Sequence, residues 1–290
     1  MTRQMVDYAS GPAIGYRTRA RLSRALAYTA GLMIAALVLV PILYVALGGF
    51  RTTGQLAADP AGLPDPWVTS NYTEIATSSA FWGQVGTSTL IAVLTTAIVV
   101  ALGALAAFPL ARFEFRGRET LYLLFTLGLL FPISVAILPI YLMLRDLYLL
   151  DTALGVALPQ AAFGIPVTIV ILRPFMRAIP GELEDAAAID GCSKFGFFLR
   201  ILLPLSRPAL MTVSILAFVG SWNGFLLPLL VLSDPSSWTL PLGVANYSTQ
   251  YSEDTARILA FTGLSMLPAL AFFLLAERRI VGGLSGAVKG

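Results

Sequence analysis

The chain has 290 residues, 57% of them hydrophobic and 12% charged, with a mean hydropathy of +0.80. Soluble globular domains carry about a quarter charged residues, so this balance excludes one and indicates a membrane protein. The net charge of +3 comes from basic residues scattered through short connections, which argues against a nucleic-acid partner; with no histidine and a single Cys192, zinc clusters, disulfide frameworks and Cys/His nucleophile pairs are excluded.

Residues 1–25 are largely polar, with Arg17, Arg19, Arg21 and Arg24 close together, and form an N-terminal segment. Residues 26–49 are apolar and uncharged. At 1.5 Å per residue they reach about 36 Å, enough to cross a hydrocarbon core of about 30 Å. The stretch is longer than a signal-peptide core and no small-residue cleavage site follows, so a retained first span is expected. A proline-bearing loop, 51–80, precedes a second span at 88–110, whose Ala101, Gly103, Ala106 and Ala107 permit close helix approach. Further spans are expected at 121–144, 153–172, 208–232 and 258–275, with 278–290 as a C-terminal tail. Pro41, Pro109, Pro132, Pro139, Pro159, Pro166, Pro228 and Pro268 fall inside these spans, and each tends to bend a helix.

Alternating the connections between two sides puts sixteen of the nineteen Lys and Arg residues on one of them, and leaves Arg51, Arg145 and Arg257 on the other. Positive residues mark the cytoplasm, so both termini are expected there. No Lys, Arg, Asp or Glu lies within the six apolar stretches, unlike proton-coupled carriers and voltage sensors, which keep such a charge at membrane depth. The fold class expected is an all-α membrane protein of six transmembrane helices.

The most informative stretch lies between the fourth and fifth spans, at 179–207. Pro180 and the acidic Glu182, Glu184 and Asp185 mark a helix N-terminus, and Leu183, Ala186, Ala187 and Asp190 recur at helical spacing. Gly191 can take the positive φ that ends a helix. Phe195, Phe198, Leu199 and Leu202 then repeat the spacing of a second amphipathic helix, expected to close at Pro204. Two short helices meeting at a glycine turn are therefore predicted, on the cytoplasmic side.

At these residues the chain resembles the membrane-spanning permease subunits of binding-protein-dependent ABC importers. Their signature loop reads Glu-Ala-Ala, three residues, Gly, then Ile-x-Leu-Pro; here Asp185-Ala186-Ala187, Gly191 and Ile201-Leu202-Leu203-Pro204 stand in register, with Asp185 one methylene shorter than the usual Glu. Leu138-Pro139-Ile140-Tyr141, Trp222-Asn223, Thr239-Leu240-Pro241-Leu242-Gly243 and the terminal Gly286-Ala287-Val288-Lys289-Gly290 are similar to the carbohydrate-uptake branch, and within it to the shorter second permease of maltose-type importers. Gly224 stands where that branch often has an acidic residue.

The resemblance implies a coupling site of Glu184, Asp185, Ala186, Ala187, Gly191, Phe195 and Pro204, and a tail of Val288, Lys289 and Gly290 against the ATPases. It implies two ABC ATPase partners carrying ATP and Mg, a homologous second permease, an extracytoplasmic solute-binding protein, and a place in the bacterial inner membrane. No Gly-rich phosphate loop ends in Gly-Lys-Ser/Thr here, so this chain binds no nucleotide itself and is not an enzyme. Gln160, Trp222 and Asn223 are the candidates for solute contact, since sugars are held by aromatic faces and amide hydrogen bonds; the same residues also suit simple packing between helices. The alternative function is a stand-alone secondary carrier or channel.

Overall fold

The computed structural model describes residues 14–248 and 252–287. In chain order the helices are α1 (Ile14–Gly48), α2 (Thr53–Ala58), α3 (Ser70–Thr77), α4 (Ser79–Arg112), α5 (Arg118–Gly128), α6 (Ile133–Asp146), α7 (Ala153–Ala178), α8 (Glu182–Ile189), α9 (Lys194–Leu205), α10 (Arg207–Trp222), α11 (Leu226–Val231) and α12 (Thr255–Ala287). Short 3₁₀ turns at Pro235–Ser237 and Leu240–Tyr247 join the last two. Among the described residues there is no strand, only an isolated antiparallel bridge between Ser248 and Glu253.

Among the described residues, three helices are long and apolar enough to cross a membrane, or up to five spans if bent pairs count as one each. Proline chemistry decides where the expected spans break. The predicted third span, 121–144, is two helices meeting at 94°. Pro132 has no N–H for the carbonyl four residues back and its ring clashes with it, so α5 stops at Gly128 and α6 starts at Ile133. The predicted fifth span, 208–232, breaks the same way: Pro228 follows Gly224 by one helical turn, and α10 ends at Trp222 before α11 begins at Leu226. Pro41, Pro109, Pro139, Pro159, Pro166 and Pro268 instead stay within continuous helices.

Other boundaries move outward. The predicted loop at 51–80 contains α2, opened by a reciprocal capping box between Thr52 and Gln55, and α3; α4 begins at Ser79 rather than 88. Arg51, expected in a solvated loop, is buried, and its guanidinium donates to the carbonyls of Gln55, Asp59 and Pro60. The fourth span runs past Leu172 to Ala178, which draws Arg173 inside α7. The segment between the expected fifth and sixth spans buries Leu240 and Leu242 and lays the Leu240 N–H on Ser88 Oγ at 2.7 Å. The last helix continues through Ala287, into the expected tail, while Val288, Lys289 and Gly290 lie outside the described residues.

The centre of the molecule is the seam between α4 and α7, closed by α10. Small residues set its spacing. A Cβ on Gly103 would stand 2.3 Å from Thr168 Cγ2, and one on Gly164 would stand 2.8 Å from Val99 Cγ2, so neither position accepts a larger residue without separating the helices. At one end of the seam Ala107, Phe108, Ala111, Leu172 and Met176 form a cluster with residues of α8, α9 and α10, and this cluster carries the hairpin of α8 and α9.

Candidate functional site

The hairpin of α8 and α9 forms for local reasons. Glu182, Glu184 and Asp185 occupy the first turn of α8, where the helix dipole favours carboxylates. The helix ends in a Schellman turn: the Cys192 N–H donates to Ala187 O at 2.8 Å and the Gly191 N–H to Ala188 O at 3.0 Å, with Gly191 at φ +78°. No atom lies within 4 Å of a Cβ built on Gly191, so glycine is demanded there by the backbone and not by crowding. Ser193 then caps α9, its Oγ accepting the Gly196 N–H at 3.1 Å.

Pro204 does not close α9 as predicted; it sits within the last turn, and the helix reaches Leu205. The adjustment is a π turn over Phe198–Leu202, in which the Leu203 N–H bonds back to Phe198 O. Pro204 brings no N–H to this turn, and widening the ladder one residue earlier keeps the helix continuous past the missing donor. A bend of 78° into α10 follows.

The hairpin has two faces. Inward, Ala187, Phe197, Phe198 and Leu202 are buried in the end cluster, and Phe198 stacks on Phe108 of α4 with centroids 4.8 Å apart. Burying two Phe side chains contributes about 1.5–3 kcal/mol each, which anchors α9 against α4 and α7. Ile189 is 87% exposed and Phe195 57%, and Leu183, Leu199, Asp185 and Ala186 are exposed as well. Of the predicted coupling residues, Asp185, Ala186 and Phe195 thus share the outer surface, Ala187 faces the core, and Glu184 lies half-buried between them.

Two buried arginines brace this end. Arg112, the last residue of α4, donates from Nη2 to Ile179 O, the C-cap of α7, at 2.8 Å; Arg173 of α7 donates from Nε to Leu110 O in the last turn of α4 at 3.0 Å. Each helix thereby satisfies a terminal carbonyl of the other. Arg173 also pairs with Glu119 and lies 3.9 Å above the Tyr122 ring, while Arg112 lies over Phe197. In the sequence both arginines read only as topological charges. For Arg173 a signal existed: Ile169, Leu172, Arg173 and Met176 recur at helical spacing and all face inward.

The solute candidates separate. Gln160 Oε1 accepts from Ser221 Oγ at 2.6 Å and Thr95 Oγ1 at 3.1 Å, joining α7, α10 and α4. Trp222 is buried and stacks on Phe218. Asn223 is exposed at the break after α10, where its amide donates to Val219 O. Trp222 and Asn223 border an apolar cavity of about 470 Å³ between α1, α10, the second 3₁₀ turn and α12, with Thr262 and Ser265 on its far wall; Gln160 does not line it.

Residues 99–280, which include the hairpin and both bracing arginines, match the family described as binding-protein-dependent transport system inner membrane component. The chain belongs to this family. The permease is 36% identical over 251 residues to the diacetylchitobiose uptake system permease protein NgcG of Streptomyces coelicolor, covering 86% of this chain and 83% of that protein. It is 35% identical over 261 residues to the trehalose transport system permease protein SugB of Mycobacterium tuberculosis, covering 89% and 95%. Its fold is similar to a chain in the crystal structure of a bacterial ABC transporter involved in the import of the acidic polysaccharide alginate, with a TM-score of 0.75 at 20% identity over 93% of this chain and 99% of that one. The protein is accordingly a membrane permease subunit of an ABC importer and not an enzyme, and a stand-alone carrier finds no support.

Proposed function

We propose that this permease is the translocation subunit of a bacterial ATP-driven importer for a carbohydrate or related polyol. In this reading six segments cross the inner membrane: α1, α4, the broken pair α5 and α6, α7, the broken pair α10 and α11, and the first part of α12. Both termini and the hairpin lie in the cytoplasm, which keeps sixteen of nineteen basic residues on that side. The partners are two ABC ATPases that bind ATP and Mg, a second homologous permease and an extracytoplasmic binding protein. The sugar class is supported by the names of NgcG and SugB.

One observation carries the reading: Leu183, Ile189, Phe195 and Leu199 of the hairpin are exposed, while its Ala187, Phe197, Phe198 and Leu202 are buried in the end cluster. Apolar area left in water costs about 25 cal/mol per Å², so a partner that covers this face gains by docking. Asp185 and Ala186 would enter an ATPase cleft, and Ala187, Gly191 and Pro204 would set the shape of the lever. Val288, Lys289 and Gly290 would touch the ATPases, and Trp222 and Asn223, with Gln160 behind them, would flank the solute pathway.

The test is uptake by the reconstituted complex. A Gly191→Trp variant meets open space within this chain and carries only the strain of its positive φ, about 1–2 kcal/mol. It should insert normally and let the ATPases turn over, yet lose uptake. Wild-type uptake by that variant, or solute flux through the permease alone without any ATPase, would overturn the proposal.

A further inference from the structure

The two bracing arginines differ in one respect. The side-on edge of a guanidinium presents Nε and Nη2 as a rigid two-pronged fork. In Arg173 both prongs are engaged, Nε by Leu110 O and Nη2 by Glu119. In Arg112 only Nη2 is: it holds Ile179 O at 2.8 Å, while Nε is buried with no hydrogen-bond partner. Glu184 Oε2 lies 4.0 Å from Nε, on a carboxylate whose side chain is 24% exposed, and is the acceptor that could complete the fork. A charge-assisted N–H···O bond forms at about 2.8 Å, so a displacement of roughly 1 Å separates this contact from a closed one.

Glu184 lies on α8, the arm that carries the exposed docking surface, whereas Arg112 terminates α4 and holds the end of α7. We propose that Arg112 and Glu184 form a two-position latch, in which movement of α8 toward the bundle completes the Arg112 fork and passes hairpin displacement to the α4–α7 seam. Arg112 is a positioning residue. An unsatisfied buried donor favours the closed position, and the open position is held by the rest of the hairpin packing, so an ATPase state that shifts α8 biases the balance between them. The inference rests on the hairpin being the ATPase-docking element. It adds the contact by which that docking reaches the seam.

The experiment measures ATP hydrolysed per solute imported by the complete transporter in proteoliposomes with its binding protein. Arg112→Lys keeps the charge and removes the fork, and Glu184→Gln removes the carboxylate charge. Each should raise the ratio by a factor of about five or more, and the double variant should rise no further than either single one. Arg173→Lys, which alters the fully engaged fork, should leave the ratio at the wild-type value. Wild-type ratios in Glu184→Gln, additive effects in the double variant, or an equal rise with Arg173→Lys would overturn the latch, the last by showing that any damage to the braces has the same effect. If Arg112→Lys fails to assemble, Glu184→Gln decides alone, because it leaves the Arg112 bond to Ile179 intact. An Ile189→Cys probe in a Cys192→Ala background reports docking separately. A crosslink to the ATPase together with unchanged ratios sinks only the latch, whereas no crosslink sinks the docking reading and the latch with it.

Discussion

Helices α1 and α4 are nearly equal in length and both strongly apolar, yet none of the most apolar stretch of α1 is buried while 39% of the corresponding stretch of α4 is. Hydropathy reports the solvent a helix tolerates and says nothing about what it touches, because lipid tails are as apolar as leucine and provide no drive for one helix to bury against another. What separates the two is the size of the facing residues. Along α4, Gly103, Ala104, Ala107 and Ala111 let α7 and the hairpin approach; α1 offers Leu32, Leu37 and Leu43 outward and meets α12 closely near its end, where a Cβ on Gly48 would meet Leu259 Cδ1 at 2.5 Å. A permease built this way has a rigid seam and a loosely attached first helix.

The strongest test of that contrast exchanges one glycine in each helix. Gly103→Leu forces a side chain into Thr168 across the seam and should destabilise the purified permease by about 3 kcal/mol, the upper end for overpacking. Gly31→Leu, whose Cβ meets nothing within 4 Å, should leave the melting temperature in detergent unchanged or slightly raised. Equal losses in the two variants would mean that small residues do not set the seam.

Arg173→Met comes next. It strands the Leu110 carbonyl and removes the contact to Glu119 and Tyr122, and should cost about 2 kcal/mol in the same melting assay. Because Glu119 is more than half exposed, most of that loss belongs to the buried carbonyl and not to the ion pair. A loss that vanishes at high salt would reverse this assignment.

Arg173 also marks the boundary of what the sequence made legible. Charge-free apolar runs, the glycine turn at Gly191 and the acidic first turn of α8 are local signals, and each was readable because a single residue type suffices to produce it. The breaks after Gly128 and Trp222 were harder. Pro132 caps α6 and Pro228 sits in the first turn of α11, each just after a break, where Pro159 and Pro166 stay inside α7, and the outcome depends on whether neighbouring helices hold the chain straight around the missing donor. The roles of Arg112, Arg173 and Gln160 depend on residues more than sixty positions away, so no local pattern could assign their partners.

Gln160→Leu probes the seam where it is polar. Interhelical hydrogen bonds in membranes average about 0.6 kcal/mol, since hydroxyls freed on Thr95 and Ser221 can turn back to carbonyls of their own helices. A loss near that value, with uptake by the complete transporter preserved, would make Gln160 a packing residue. A small stability loss with abolished uptake would place it on the solute pathway.

The smallest effect belongs to Leu37→Ala, at the most outward-facing position of the α1 leucines, 77% exposed. Removing three carbons there exchanges lipid for lipid, and no cavity forms because acyl chains close around the shorter side chain. The same truncation at a packed position such as Leu172 would cost about 2–5 kcal/mol through the void it leaves. The expected change for Leu37→Ala in the purified chain is below about 0.5 kcal/mol, the range of substitutions away from packed or polar features. Repeating the melt on the complete transporter turns this null into information. If the variant stays silent there too, that face of α1 meets lipid; if it loses stability only in the assembled complex, a partner subunit covers the helix that this chain leaves bare.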